Sequence, residues 1–545
     1  MTARDKFIVV ALIGLMAIAS VGAVFLDQAE RSGLTPAYGG TYVEGVVGSP
    51  QYLDPILASS DLDSDVVRLV FDGLTQLSRD GSVVPALAAF TTEDDGKVWT
   101  FTIRSDAKWQ DGVPVTAADV AYTVSLVQDK AYVGPYSDAF HGVKVEALSD
   151  HLVRFTLPEA FGGFAVNTTL PLLPAHLLNG VTYNALPRQV FNQRPVGTGA
   201  FRVVESDARQ VTLAASDDYY ALHPDRQRPY LDRLIVRSYP DTTQALTALS
   251  RGEIDGIGGL TTGDVERVHG SKNATLYSFP TSDFTALFFN LRPDKATFRD
   301  RTVRQAIATA IDRGKVLDVA ADGRGRVADE MVPPTSWAYV KDVARYQHST
   351  ADAAKMLDDA DWKDHDGDGI RDKNGVKLSF AISTSDEPAR VAAAQQIVGD
   401  LREVGIDARL QSVPFGQLLD TVVPGRAYDA LLLGITGSGD PDPYPLFHST
   451  EIADPGHNFS GYFTLPIDRA LESARKTSDQ AKRVQLMTPV FQAIATDVPV
   501  VFLYFSDYLY AQDTQVQGLR IMPIVSPSDR LWNAGDWYVK TEIRR

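Results

Sequence analysis

Cysteine is absent from this chain of 545 residues. Disulfides, thiolate zinc sites, iron–sulfur ligation and cysteine nucleophiles are therefore excluded. Positive charge is also scarce: 52 Lys and Arg stand against 69 Asp and Glu, a net charge of -17. With no basic excess to offset phosphates, nucleic acid is excluded as a main partner. An acidic surface suits solubility and favours cationic ligands. The sequence contains no G-x-S-x-G, H-E-x-x-H or Walker A pattern, so the common hydrolase, zincin and P-loop chemistries have no linear signature. Nine histidines are scattered without metal-ligand spacing. A carboxylate pair meeting in a cleft leaves no such signature, and a cell-envelope hydrolase stands as a second reading. A sensory or chaperone binding module on the same scaffold is a third.

Long apolar runs are equally scarce; there is one. Phe7 to Leu26 is uncharged for 20 residues and follows Arg4 and Lys6. That length crosses a bilayer, and the preceding basic residues set the N-terminus inside. It reads either as a cleavable signal peptide, with Val21-Gly22-Ala23 as the small-residue cut, or as an uncleaved signal anchor. The run continues past that cut, which favours the anchor. Both readings export residues 30–545. Residues 27–40, with Gly33, Pro36, Gly39 and Gly40, read as a tether.

The body alternates strands with helices, which predicts an α/β architecture. Strands are expected at 41–47, 98–103, 143–147, 152–157, 210–214, 231–239, 284–290, 378–382, 406–412, 428–433 and 499–505. Helices are expected at 66–77, 242–249, 299–317, 352–358, 392–404 and 484–495. The most informative stretch is KWQDGVPVTAADVAYTV, residues 108–124. Asp111-Gly112 is a turn pair, Thr116 an N-cap and Asp119 the acid three residues on, so a capped helix follows a turn.

This string, together with GGTYVEG, LDPILASS, PVGTGAF at 195–201, DDYY at 217–220, RQAIATAIDRGKV and NFSGY at 458–462, resembles the extracellular solute-binding proteins of family 5. Their members are peptide-, nickel- and oligopeptide-binding components of ABC importers. The motifs follow the family order over roughly residues 40–540. The resemblance implies a two-lobed, periplasmic-binding-protein-like type II α/β fold with an extra subdomain inserted in the first lobe. It implies lobe I at 30–77, 191–290 and the C-terminal return 506–545, the insertion at 78–190 and lobe II at 291–505. Residues 1–29 are the signal anchor or signal peptide. It further implies a non-enzymatic protein that captures a peptide or similar small amine-bearing solute and delivers it to permease subunits served by a separate ATPase. Many similar proteins are anchored through a lipid-modified cysteine. This chain has none, so residues 7–26 would tether it to the outer face of the cytoplasmic membrane.

Ligand-contacting candidates follow from the same resemblance. The loop GITGSGDPDPYPLFH, residues 434–448, exposes backbone and acids at a strand end, where open α/β lobes bind ligands. In peptide-binding relatives an aspartate of this loop pairs with the ligand's α-ammonium; by position Asp440 is the first choice and Asp442 the second. Such a charge-assisted bond is worth about 1.5–3 kcal/mol. Asn458 and Tyr462 are expected at the cleft rim, Asn290 and Phe284 near the crossing between lobes, and Tyr42, Glu44 and Tyr52 on the first-lobe segment facing the ligand. Arg304 serves either a ligand carboxylate or, as the commoner role, a helix surface. No cofactor is expected. A cation loop is legible at Asp364, Asp366, Asp368, Ile370 (through its carbonyl) and Asp372, the spacing of a calcium loop. Gly375 stands where the bidentate Glu belongs, so a plain Gly/Asp turn is the alternative.

Overall fold

Two long, largely apolar strands run through the middle of the molecule and tie its halves together. The structure, a computed structural model, describes residues 34–221, 226, 228–293, 295 and 297–543; the apolar run 7–26 lies outside the described residues. Among the described residues no helix is long and apolar enough to cross a membrane. The two strands, Ala274–Phe289 and Val500–Asp513, pair antiparallel. Their register slips between Pro280 and Phe284. One stretch therefore joins Ala274–Pro280 to 507–513, and a second joins Phe284–Phe288 to 500–505. Such a bulge bends and twists a ladder locally, and here it divides two lobes.

Both lobes hang on this pair within one 11-stranded sheet. On one side follow Gly256–Leu260, Thr41–Val47, Arg233–Tyr239, Gln210–Ala215 and Phe201–Ser206; on the other follow Ala430–Ile435, Ser379–Ser385 and Asp407–Val413. Thr41–Val47 runs parallel to Arg233–Tyr239, and Ser379–Ser385 parallel to Asp407–Val413. Parallel neighbours need crossover connections, and the helix Pro388–Glu403 supplies one. The second lobe buries both faces of its part of the sheet, in separate apolar clusters.

A four-stranded antiparallel sheet, Ala88–Glu93, Val98–Ile103, Leu152–Thr156 and Lys144–Ser149 in that order, packs on the first lobe. Its Trp99, Phe101 and Phe155, with Phe164 of a neighbouring turn, belong to the same buried cluster as Tyr42, Val66 and Trp537. This sheet thus shares the first lobe's core. The helix Ala117–Val127 starts with the expected capping box, Thr116 N donating to Asp119 Oδ2 at 2.8 Å. Asp119 also accepts from Trp109 Nε1 and from the backbone of Ala175. The motif's Trp and Asp thereby lock the turn, the helix and a distant loop together.

Several elements differ from the sequence reading. Leu34–Ala37 is a strand paired with Lys540–Ile543, not part of a tether. The first helix is Asp61–Val70, because the Ser60 hydroxyl caps it by accepting from Asp63 N. The expected helix at 299–317 is two helices, Arg301–Ala310 and Arg313–Ala321, since Asp312 caps a new start. Asp300 caps the first.

The second lobe also buries an acid that makes no ion pair among the described residues. Glu330 is 3% exposed; its Oε1 accepts from Val340 N at 3.0 Å, and Oε2 meets no donor among the described residues. Burial pushes its carboxyl up to about 8. The folded state therefore holds this proton more tightly than the unfolded chain. That stabilisation is complete below the ordinary glutamate range and is lost as pH rises through 8. Glu330→Gln is expected to gain at least about 2 kcal/mol at about pH 9 and much less at about pH 5. Chemical denaturation at the two pH values checks this; an equal or smaller gain at the higher pH contradicts it.

Candidate functional site

The strand Ala430–Ile435 ends beside the register slip, and its continuation forms the floor of a cavity between the lobes. Gly437 N donates to Asp283 Oδ1 at 2.8 Å. A side chain at Gly437 would strike Ser282, its Cβ lying 2.3 Å away, so the close approach of loop and hinge requires glycine. The hinge itself is cross-tied: Thr281 Oγ1 donates to the Ser506 carbonyl at 2.7 Å, and Arg326 bridges Asp507 and the Thr281 carbonyl.

The cavity measures about 390 Å³. Its walls are the hairpin 77–81, Ser282 and Phe284, segment 331–336, loop residues 434–439, 441 and 442, Leu446, Phe459 and segment 523–525. Somewhat more than half of these side chains are apolar, with hydroxyls at Ser78, Ser282, Thr335, Ser336, Thr436 and Ser438 and ionisable groups at Arg79, Asp80, Asp442 and His457. Two further cavities, of about 470 Å³ and about 300 Å³, adjoin it and share Gly439 as a wall. A fourth, of about 240 Å³, shares Phe284 and 434–436 and carries Arg390. Arg390 donates to Thr285 Oγ1 at 2.7 Å and to the Tyr504 hydroxyl at 3.0 Å, while Glu387 lies 4.0 Å away. Asp283, whose carboxyl burial raises against the opposing charge of Arg390, lines the same cavity, so this cation is already shared between two acids.

The lobes touch again across the cleft. Gly162 N donates to the Arg475 carbonyl at 2.6 Å, and Trp337 N to the Asp80 carbonyl at 3.0 Å. A Cβ on Gly162 would lie 1.7 Å from the Thr477 carbonyl oxygen. This clasp closes the cleft.

Among the candidate residues, Phe284 and Asp442 line the main cavity. Asp442 is not free: it accepts from Arg475 Nε at 2.6 Å and from Tyr444 N at 3.0 Å. Burial raises its carboxyl against the opposing pull of Arg475. Asp440 lies on the wall of the 300 Å³ cavity, and Arg483 holds both its oxygens, at 2.8 and 2.9 Å. The remaining candidates do not line these cavities, and the structure gives them other work. Asn458 donates to the carbonyls of His448 and Tyr462, and Asn290 to those of Arg426 and Tyr428. The Tyr462 hydroxyl donates to Asp497 at 2.6 Å. Arg304 is buried and donates to the carbonyls of Asp497, Val498 and Phe298, capping the C-terminus of the helix Gln480–Asp497. Tyr42 and Glu44 lie fully buried in the first lobe, and Tyr52 is half-buried.

The acidic loop brings together Asp364, Asp366 and Asp368, with ligand atoms within 4.8 Å of one another. Asp372 stands apart, since it pairs in register with Lys377 and accepts from His365 N. Ile370 N donates to Asp368. Lys377 sits on Asp366 and Asp368, and Asp364 accepts from Gly367 and Gly369. These bonds make the loop a self-satisfied turn with an internal cation.

The hairpin tip at Arg79 and Asp80 and the segments 331–336 and 522–527 escaped the sequence reading. Their only signal is the pair of proline-bearing extended strings, MVPPTS and MPIVSP.

Two lobes joined by two crossing strands, with an apolar cavity between them and a clasp across the cleft, define a protein that encloses a small solute. The family described as bacterial extracellular solute-binding proteins, family 5 Middle, matches residues 82–457. The oligopeptide-binding protein AppA of Bacillus subtilis (strain 168) is 30% identical over 523 residues, covering 94% of each chain. The chain belongs to this family of extracellular solute-binding proteins. The solved structure of AppA with a nonapeptide superposes with a TM-score of 0.66 at 29% identity, covering 93% of this chain and 100% of that one. NikZ from Campylobacter jejuni with Ni(L-His) gives 0.68 at 26% identity, over 91% of this chain and 99% of that one. The protein is thus an extracytoplasmic solute-binding component of an ABC-type importer, and its family binds solutes without transforming them.

Proposed function

We propose that the protein captures a peptide in the interlobe cleft, closes on it and presents it to permease subunits driven by a separate ATPase. The observation that carries this reading is the cavity itself, apolar in its walls and bordered by segments 434–439 and 523–525 at the sheet's hinge. Apolar walls with a few placed polar groups suit side chains of varied kind, and the adjoining cavities at Gly439 extend the space for a longer chain. The AppA relative, named for oligopeptide binding, supports the same reading. Closure about the 281–283 hinge would shift an open–closed population and form the surface the permease recognises.

Lobe I is assigned to 30–77, 191–290 and 506–545, the insertion to 78–190, and lobe II to 291–505. Residues 7–26 are assigned as an uncleaved anchor on the outer face of the cytoplasmic membrane; release of the chain by carbonate washing of membranes contradicts that assignment. Native mass spectrometry of the purified chain with peptide, oligosaccharide and nickel pools tests the substrate class. Peptide adducts released uncut are the expected result. Adducts only with sugars or nickel, or cleaved peptides, reject it.

A further inference from the structure

We infer that this cleft does not read the α-ammonium of its ligand: Asp440 is committed to Arg483, and peptides with a blocked amino end bind as well as free ones. The inference rests on the peptide reading above and deepens it. Asp440 is 8% exposed and Arg483 4% exposed. The guanidinium meets the two carboxylate oxygens in a bidentate fork, at 2.8 and 2.9 Å, and its carbon lies 5.3 Å from the centre of the Trp337 ring. This geometry is the strongest available to such a pair. Gly163 makes room for it, since a Cβ there would lie 2.1 Å from Asp440 Oδ2.

A ligand ammonium that claimed Asp440 would have to displace Arg483 and leave a buried guanidinium without its acid. Breaking one side of a buried pair is far more costly than a new ammonium contact returns. The other carboxylates around the main cavity are Asp442 and Asp80. Asp442 is held by Arg475. Asp80 is exposed at the rim, where its Oδ1 accepts from Ser78 and Ser82 and water screens any added charge. In the adjoining first-lobe cavity, Asp529 accepts from Val525 and Ser526, Asp72 is held by Tyr219 and Thr198, and Asp61 is exposed. In the cavity that carries Arg390, Asp283 accepts from Gly437 N and feels the Arg390 charge, and Glu387 is exposed with Arg390 Nε 4.0 Å away. The loop that the sequence marks for ammonium recognition is therefore tied to the helices that carry Arg475 and Arg483.

The test compares matched pools of short apolar peptides with free and N-acetylated amino ends, bound to the full chain and quantified by native mass spectrometry. Acetylation is expected to change bound fractions by less than about threefold, whereas loss of a charge-assisted bond to a buried acid costs about tenfold or more. A tenfold preference for the free amine overturns the inference while leaving the peptide reading intact. Failure of both pools to bind rejects the peptide reading and the inference with it. Asp440→Asn supplies a second arm: its ratio of free to acetylated binding should equal that of the unaltered chain, and a tenfold fall in that ratio also overturns the inference. If this variant does not fold, the comparison on the unaltered chain still decides.

Discussion

Arg530→Met is expected to lower the unfolding free energy by about 3–5 kcal/mol, the scale of breaking a buried ion pair from one side. Arg530 is 2% exposed and serves two acids at once. Its Nη2 donates to Glu44 Oε1 at 2.6 Å and to Asp65 Oδ2 at 2.5 Å, its Nη1 to Asp65 Oδ1 at 2.8 Å and to the Pro527 carbonyl at 2.9 Å. Glu44 is fully buried and Asp65 nearly so, and Glu44 also accepts from the hydroxyls of Tyr42 and Tyr510. Removing the guanidinium leaves two buried carboxylates facing each other. Met fills the volume without replacing a donor, so the loss is electrostatic.

The pH dependence has a definite sign. Burial pushes the Asp65 carboxyl up to about 6 even with Arg530 present, which opposes the rise. A carboxyl raised in the folded state contributes stability that is complete below its unfolded range and lost as pH rises through 6. Without Arg530 the rise is larger, so the variant's deficit grows between about pH 5 and about pH 8. Urea denaturation at both values measures it. A deficit below about 1 kcal/mol at about pH 8, the scale of an exposed pair, contradicts the account.

Gly162→Val is expected to weaken solute binding by at least about tenfold with little loss of stability. With a Cβ 1.7 Å from the Thr477 carbonyl oxygen, the clasp cannot form as it stands. The added Cβ strikes the backbone of Thr477 and Ser478, so no rotamer change relieves it. The cheapest relief is to part the lobes, which costs the hydrogen bond from Gly162 to Arg475 and shifts the population towards the open form. Affinity falls in proportion to the fraction that remains competent to close. Calorimetry with a binding peptide and thermal unfolding of the same sample separate the two effects. Unchanged affinity removes the clasp from the mechanism.

Local signals were legible and distant ones were not. The capping box of Thr116 and Asp119 and the parallel strands of both lobes follow from turn chemistry and short-range periodicity, which neighbours in sequence determine. The leading half of the strand Ala274–Phe289 escaped notice because Pro280 interrupts its pattern. The fate of Asp440 was hidden for another reason: its partner Arg483 stands 43 residues on, in a helix whose charge reads as an ordinary surface. Glu44 and Arg530 are 486 residues apart. An acid that looks free in sequence is free only if no cation folds onto it, and tertiary structure alone decides that. The apolar walls at 331–336 and 523–525 lacked periodicity for the same reason, being extended strings positioned by the lobes around them.

The central claim is that solute is held between the lobes, on the 434–442 loop and the 331–336 and 523–525 segments. Hydrogen exchange of the full chain with and without a bound peptide tests it most directly. The account predicts new amide protection in those three segments and at the 161–163 and 475–478 clasp, with the outer strands unchanged. Protection confined to surfaces outside the cleft, or none with peptide bound, contradicts it.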